Sequence, residues 1–87
     1  MAEAYIYDAI RSPRGKGRAD GALHEVTAVR LSADMLNALK ARNDLATDVV
    51  DDVIWGNVTQ IGEQGGCLAR SAALLSDLGE AVPGLSI

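Results

Sequence analysis

The chain has 87 residues, of which 48% are hydrophobic and 23% charged, a composition typical of a folded globular chain rather than a disordered one. Its net charge of -4 disfavours general nucleic-acid binding, which needs a positive surface against the phosphate backbone. A single cysteine excludes an internal disulfide, and the lack of a signal-like start or a long apolar run predicts a cytoplasmic protein without a membrane span.

The first half of the chain predicts a strand, a loop and a helix. Residues 4–10 combine β-branched and aromatic side chains, which predicts a strand buried on both faces. Pro13 and three glycines mark residues 11–23 as a loop. A helix is predicted from 27 to 42, with Thr27 as N-cap and an Arg30–Asp34 pair one turn apart. Its apolar face consists of residues spaced by three and four: Ala28, Leu31, Met35, Ala38 and Leu39.

The second half repeats the alternation of strand and helix. Asn43 and Asp44 end the first helix, and one short turn is expected within 45–50 before a strand over 52–58. A glycine-rich loop then leads to a helix over 67–78, with Gly79 as its stop signal and a third strand starting at residue 84. This order predicts an α/β fold with a parallel sheet. Because so few elements leave a parallel sheet largely uncovered, we expect residues 1–87 to form an incomplete domain.

Cys67 and His24 are the residues to consider first for catalysis or metal binding. Cys67 follows two glycines at a predicted helix N-terminus, where the helix dipole lowers a thiol pKa. The commoner role of a lone cysteine is that of a small packing residue, and both interpretations stand. His24 is the sole histidine, lies in another loop and is interpreted as a loop residue. Without further ligands at usable spacing, no metal site is predicted.

Two loops are candidates for binding. The first, RSPRGKGRADG, carries four basic residues among glycines, and is either a solvated surface loop or a contact for a phosphate or coenzyme. It has neither the P-loop nor the dinucleotide-binding spacing, so the cofactor-binding residues stay unknown. The second, GEQGG at 62–66, joins a strand to a helix at the sheet edge where parallel α/β folds bind ligands.

Three stretches in register resemble the thiolase family. YDAIRSPRGKG is similar to the family's opening strand and Arg-Thr-Pro-x-Gly turn, with Ser12 for the commoner threonine. DDVIWGNVTQIGEQGGCLARSAAL is similar to its strand, Gly-Glu-Gln-Gly type loop and Asn-x-Ala-Arg helix start. VPGLSI resembles the strand that leads to the nucleophile loop. Together they cover nearly the whole chain.

The resemblance implies a thiolase-like fold, with this chain covering the first β-α-β-α-(β) part of the N-terminal half. It places the nucleophilic cysteine a few residues beyond Ile87, so it assigns no catalytic residue within 1–87. Cys67 stands where many thiolases have asparagine and is not that nucleophile. Gln64 and Arg70 match positions that, in the family, lie near the dimer interface and help brace the nucleophile loop.

The activity implied is reversible thiolysis of 3-ketoacyl-CoA through a cysteine acyl-enzyme, in fatty-acid β-oxidation. Coenzyme A and acyl-CoA then enter as substrates, with no permanently bound cofactor. The expected partners are the remainder of a thiolase chain, a homodimer or tetramer, and a β-oxidation α-subunit. The rival interpretations are a non-catalytic module that holds a phosphate-bearing ligand and a segment that completes a partner's sheet. We expect residues 1–87 alone to be inactive.

Overall fold

The computed structural model describes residues 3–87. It contains two α-helices, α1 (Ala28–Asn43) and α2 (Leu68–Leu75), and two strands, β1 (Val53–Trp55) and β2 (Gly84–Ser86). Short 3₁₀ turns at Thr47–Val49 and Gly62–Gln64 lie in the connections that precede β1 and α2. The predicted α/β class is confirmed.

Helix α1 has the boundaries that its capping residues dictate. Thr27 Oγ1 accepts a hydrogen bond from the backbone N–H of Arg30 at 3.1 Å, which confirms the predicted N-cap. The helix ends at Asn43, and the left-handed backbone of the C-cap residue Asp44 (φ 49°) lets the N–H of Leu45 donate to the Lys40 carbonyl at 3.0 Å. The Arg30–Asp34 pair also forms, with 2.6 Å between Nη2 and Oδ1. Local sequence signals therefore fix both ends of this helix.

Strands β1 and β2 are parallel neighbours, with helix α2 in the connection between them. Val53 pairs with Gly84, and Trp55 pairs with Ser86. The pairing continues beyond the strands, since the backbone N–H of Asn57 donates to the Ile87 carbonyl at 2.8 Å. The predicted strands over 52–58 and from 84 are confirmed as elements, and the parallel arrangement is confirmed with them.

The core lies between the two helices and one face of the sheet. No large side chain within the described residues is fully buried, and alanine supplies much of the packing. Such small residues let helix and sheet approach closely, as the low aromatic content predicts. The core consists of Leu36, Val53, Ala69, Ala72, Ala73, Leu78 and Val82.

The buried face of α1 is rotated from the predicted one. Ser32, Ala33 and Leu36 are buried, whereas Ala38 is exposed and the larger apolar residues of the predicted face are only half-buried. Leu36 packs with the alanines of α2. Leu31 and Met35 instead line a cleft of about 460 Å³ beside the segment 8–12. The spacing pattern identified the helix, but the partner helix selects which side of it is covered.

The predicted first strand over 4–10 is wrong. These residues adopt no regular structure and pair with no strand among residues 3–87. Ile6 is 91% exposed and Tyr7 is 93% exposed, so both faces of the segment are open at these residues. A strand of this kind needs a hydrogen-bonding neighbour and a layer on each side, and the described residues supply neither. A radius of gyration of 13.9 Å, against about 12 Å for a compact chain of this length, reflects the unpacked segment.

Helix α2 is shorter than the predicted 67–78. It ends at Leu75 because the Ser76 hydroxyl turns back to donate to the Ala73 carbonyl at 2.8 Å and accepts the Leu78 N–H at 3.2 Å. Gly79, the predicted stop, has a positive φ of 86° and shapes the turn that follows. A serine whose side chain competes for backbone hydrogen bonds therefore stops the helix before the glycine does.

One face of the sheet and the N-terminal segment are exposed and apolar. Ile54 and Leu85, which pair across the two strands, are 61% and 51% exposed on the side opposite the core.

No helix in residues 3–87 is long and apolar enough to cross a membrane.

Candidate functional site

The candidate site lies at the carboxyl ends of the two parallel strands, where helix α2 begins. Parallel α/β proteins place ligands at this edge, because the loops that follow the strands converge there. Here the loop after β1 carries Asn57 and Gln64, the start of α2 carries Cys67 and Arg70, and β2 ends at Ser86.

Gln64 holds the loop after β1 in shape. Its side-chain amide donates to the Thr59 carbonyl at 2.7 Å and to Asn57 Oδ1 at 3.3 Å. Asn57 returns a hydrogen bond from Nδ2 to the Gln64 carbonyl at 2.8 Å. These bonds close the loop between residues 57 and 64 and set the approach to α2. Asn57 is not among the site residues predicted from the sequence, since it falls within the predicted strand over 52–58, whereas β1 ends at Trp55.

Arg70 binds the turn that leads into β2. Its guanidinium donates through Nη1 to the Val82 carbonyl and through Nη2 to the Glu80 carbonyl at 2.9 Å. A planar guanidinium with several fixed donors suits two carbonyls of one turn better than a lysine would. The first turn of α2 is therefore tied to the chain that enters β2.

Gly84 lets β2 lie directly on the first turn of α2. A Cβ atom at this position would stand 2.6 Å from the backbone nitrogen of Arg70 and 2.7 Å from the carbonyl carbon of Ala69. Both neighbours are backbone atoms, so a larger residue would have to displace the helix or the strand. Nothing in the local sequence motif indicates this close approach.

Ser86 caps helix α2 from the neighbouring strand. Its Oγ accepts the backbone N–H of Ala69 at 3.2 Å. Cys67, which occupies the local N-cap position, makes no side-chain capping hydrogen bond. Without Ser86, the backbone N–H of Ala69, the second residue of α2, would have no acceptor within the described residues. A serine at the end of a strand is thus part of the site, and sequence reasoning missed it.

Cys67 is a half-buried thiol between α2 and β2. Its Sγ lies 3.5 Å from the Gly84 carbonyl oxygen and 3.7 Å from Ser86 Oγ. The backbone N–H of Arg70 and then the Ser86 hydroxyl lower the pKa of Cys67, against the opposing effect of burial. The sulfur nevertheless packs against the core cluster, which agrees with the packing interpretation.

The other candidates predicted from the sequence lie away from this network. His24 is exposed, in a turn where its N–H donates to the Gly21 carbonyl, and no hydrogen bond within residues 3–87 joins its side chain to Cys67. The basic loop is exposed, and its Arg18 pairs with Asp20 at 3.2 Å. Arg11 lies at the cleft beside α1. Within the part of the chain described, no group of three or more His, Cys, Asp or Glu could hold a metal.

Comparison with known proteins identifies the class of protein that this fold and site define. The family model for "Thiolase, N-terminal domain" matches residues 4–87, and the chain belongs to the thiolase family.

Three curated relatives share one name, 3-ketoacyl-CoA thiolase. The chain is 42% identical to the proteins of that name from Citrobacter koseri and Salmonella typhimurium, and 41% identical to that from Cronobacter sakazakii. Each match covers 100% of this chain and 22% of the relative. The chain therefore spans about a fifth of the length of these relatives.

Proposed function

We propose that this chain is the first, incomplete part of the N-terminal domain of a thiolase that cleaves 3-ketoacyl-CoA in fatty-acid β-oxidation. The match to the thiolase N-terminal domain over residues 4–87, in register with relatives named 3-ketoacyl-CoA thiolase, carries the proposal. The cytoplasm is the proposed compartment. The geometry adds support, because the contacts between α2 and β2 hold the end of the strand that would lead to the nucleophile loop.

The proposed reaction splits a carbon–carbon bond in two half-reactions. A cysteine thiolate attacks the keto carbon, and the new C–S bond forms as acetyl-CoA leaves with the electron pair of the broken bond and takes up a proton. Free coenzyme A then attacks the acyl-enzyme and releases the shortened acyl-CoA. Hydrogen-bond donors around both carbonyl oxygens would stabilise the negative charge that develops. The reverse direction is a Claisen condensation at the same site.

In this proposal, residues 3–87 help to position the catalytic groups and supply no group that reacts. No residue of the chain is assigned as catalytic, and Cys67 is a packing residue at the start of α2. Gln64 is proposed to fix the loop after β1, near a dimer interface. Arg70 is proposed to brace the nucleophile loop by holding the chain that enters β2. Coenzyme A and acyl-CoA are proposed as substrates, without a permanently bound cofactor.

The exposed apolar surface supports the proposed partners. Ile54 and Leu85 need a cover on the open face of the sheet, and the remainder of a thiolase chain is the proposed cover. A homodimer or tetramer, with a β-oxidation α-subunit, is the proposed assembly.

A segment exchange tests this function. The stretch of the Salmonella typhimurium relative that aligns with this chain is replaced by residues 1–87, giving a segment-exchanged thiolase. We expect it to consume 3-ketoacyl-CoA in the presence of coenzyme A, and the 87-residue chain alone to show no activity. A matched control lacks the exchanged segment and should be inactive. A segment-exchanged protein that is folded by circular dichroism yet does not cleave the substrate would contradict the proposal.

Within that enzyme, Arg70 has its own test. Arg70→Lys keeps the charge but cannot reach both carbonyls in one plane, so we expect a fall in kcat of about tenfold or more. Arg18→Lys, in an exposed surface pair, is the matched control and should leave kcat unchanged. Equal kcat in the two variants would remove Arg70 from the proposed role.

A further inference from the structure

The side chain of Ser86 joins the carboxyl end of β2 to helix α2. Its hydroxyl oxygen accepts the Ala69 N–H at 3.2 Å, which joins the last residue of the strand to the first turn of α2. Arg70 binds the other end of the same segment, at residues 80 and 82. Between them Gly84 lies against the helix backbone with no room for a side chain. The segment 80–86 is thus fixed to two consecutive residues of α2.

Ser86 has this role because the local cap is missing. The residue types that cap helices well are serine, threonine, aspartate and asparagine, whose side-chain oxygens accept from the first turn. Cys67 stands at the N-cap position and has no such oxygen, and its Sγ contacts β2 instead. The free donor of Ala69 is satisfied from β2. A helix cap and the position of a strand end therefore depend on the same hydrogen bond.

We propose that Ser86 is a positioning residue for thiolysis, which sets the place of the nucleophile loop by fixing the end of β2 to the start of α2. The inference rests on the proposed function and adds a residue that the family resemblance did not supply. Loss of the hydroxyl removes the hydrogen bond between the carboxyl end of β2 and α2, while Arg70 still holds the start of the segment. The backbone hydrogen bonds between Ile87 and residues 55 and 57 keep the strand in the sheet, whereas the loop that follows it loses its attachment to α2.

The expected effect is on the chemical step and not on substrate affinity. A displacement of about 1 Å at reacting groups lowers a rate by up to about 100-fold. In the segment-exchanged thiolase, which contains the full chain, we expect Ser86→Ala to lower kcat by about tenfold or more, with KM changed less than about twofold. Ser86→Thr keeps the hydroxyl and should retain most of kcat.

A second variant distinguishes loss of the position of β2 from loss of helix stability. Cys67→Asn supplies a capping oxygen at the N-cap itself, so it should restore protection of the Ala69 amide in the Ser86→Ala background. It cannot tie β2 to the helix, and kcat should therefore stay low in the double variant. Amide hydrogen exchange at Ala69 and kcat are measured on the same four proteins: the parent, each single variant and the double variant.

The outcomes distinguish this inference from the function on which it rests. A parent enzyme that is folded but inactive refutes the proposed function. If the parent is active, an Ala69 amide whose exchange is the same in Ser86→Ala shows that the bond is unimportant and overturns the inference. The inference is also overturned if kcat is unchanged in Ser86→Ala, or if Cys67→Asn restores kcat in full, because the cap would then matter only for helix stability.

Discussion

At the scale of single residues, the site depends on close approach between α2 and β2. Gly84 is the clearest case, because the absence of a Cβ atom there permits backbone contact that no other residue would allow. Replacing it tests packing alone, without removing a hydrogen-bonding side chain.

Gly84→Ala should destabilise the fold by about 1–3 kcal/mol, the usual cost of forcing extra atoms into a packed contact. Gly17→Ala is the matched control, since nothing lies within 4 Å of the added carbon, and its effect should stay below about 1 kcal/mol. Urea unfolding followed by the fluorescence of Trp55, the sole tryptophan, measures both variants, with an osmolyte added to raise the stability of so short a chain. Equal midpoints for the two variants would show that the close contact does not form.

The thiol of Cys67 gives a second prediction at this scale. Its lowered pKa means that the folded chain holds thiolate at a lower pH than the unfolded chain does. By linkage, this group contributes stability that is present above the unfolded pKa and is lost as pH falls through the folded pKa.

Alkylation by iodoacetamide measures this pKa directly. The midpoint of the rate against pH should lie lower in the folded chain than in the same chain in urea. In Ser86→Ala the midpoint should rise, because the serine hydroxyl is one cause of the lowered pKa. A midpoint that is the same in folded and unfolded chains would refute the prediction.

At the scale of elements, the N-terminal segment is attached to α1 by polar contacts. Asp8 accepts from Asn43 Nδ2 at 2.9 Å and pairs with Arg42 at 3.2 Å, at the carboxyl end of the helix. The Asn43 hydrogen bond is the largest cause that lowers the pKa of Asp8, with smaller contributions from the Ala9 N–H and Arg42 against the opposing effect of burial. The attachment is therefore present above the unfolded pKa of about 4 and weakens as pH falls through the lower folded value.

Asp8→Asn should loosen this segment, because the neutral side chain loses the ion pair with Arg42 and accepts more weakly from Asn43. We expect tryptic cleavage at Arg11 to become severalfold faster at neutral pH, with the helices intact by circular dichroism. Asp20→Asn is the control, since its partner Arg18 lies within the same loop. If Asp8→Asn and Asp20→Asn are cleaved at the same rate, the contacts of Asp8 do not hold the segment.

The ends of α1 follow from local signals, whereas the absence of a strand at 4–10 and the contact made by Ser86 depend on residues distant in the chain. The caps of α1 at Thr27 and Asp44 depend on neighbouring residues, so their positions were predictable. The strand over 4–10 depends on a neighbour that the described residues do not supply, and its apolar content alone could not form it. Ser86 was missed for the same reason, because its partner Ala69 is 17 residues away along the chain.

At the scale of the whole molecule, the described residues form a βαβ unit with one helix packed on it and one sheet face open. The core contains small side chains, and several large apolar ones are exposed. This distribution fits a chain that spans about a fifth of its curated relatives. Because the fold is incomplete in this way, we expect cleavage of 3-ketoacyl-CoA only when the rest of a thiolase is present.

We propose above all that this chain precedes the acylated cysteine of a thiolase. In the most direct measurement, the protein purified from its natural source is incubated with a 3-ketoacyl-CoA in the absence of free coenzyme A. Peptide mass spectrometry then identifies the residue that carries the acyl group. We predict a native mass several times the 9.1 kDa of this chain. We also predict an acyl group on a cysteine in the peptide that continues from Leu85, Ser86 and Ile87. A native mass of 9.1 kDa, or an acyl group found on Cys67 and on no later cysteine, would contradict the account.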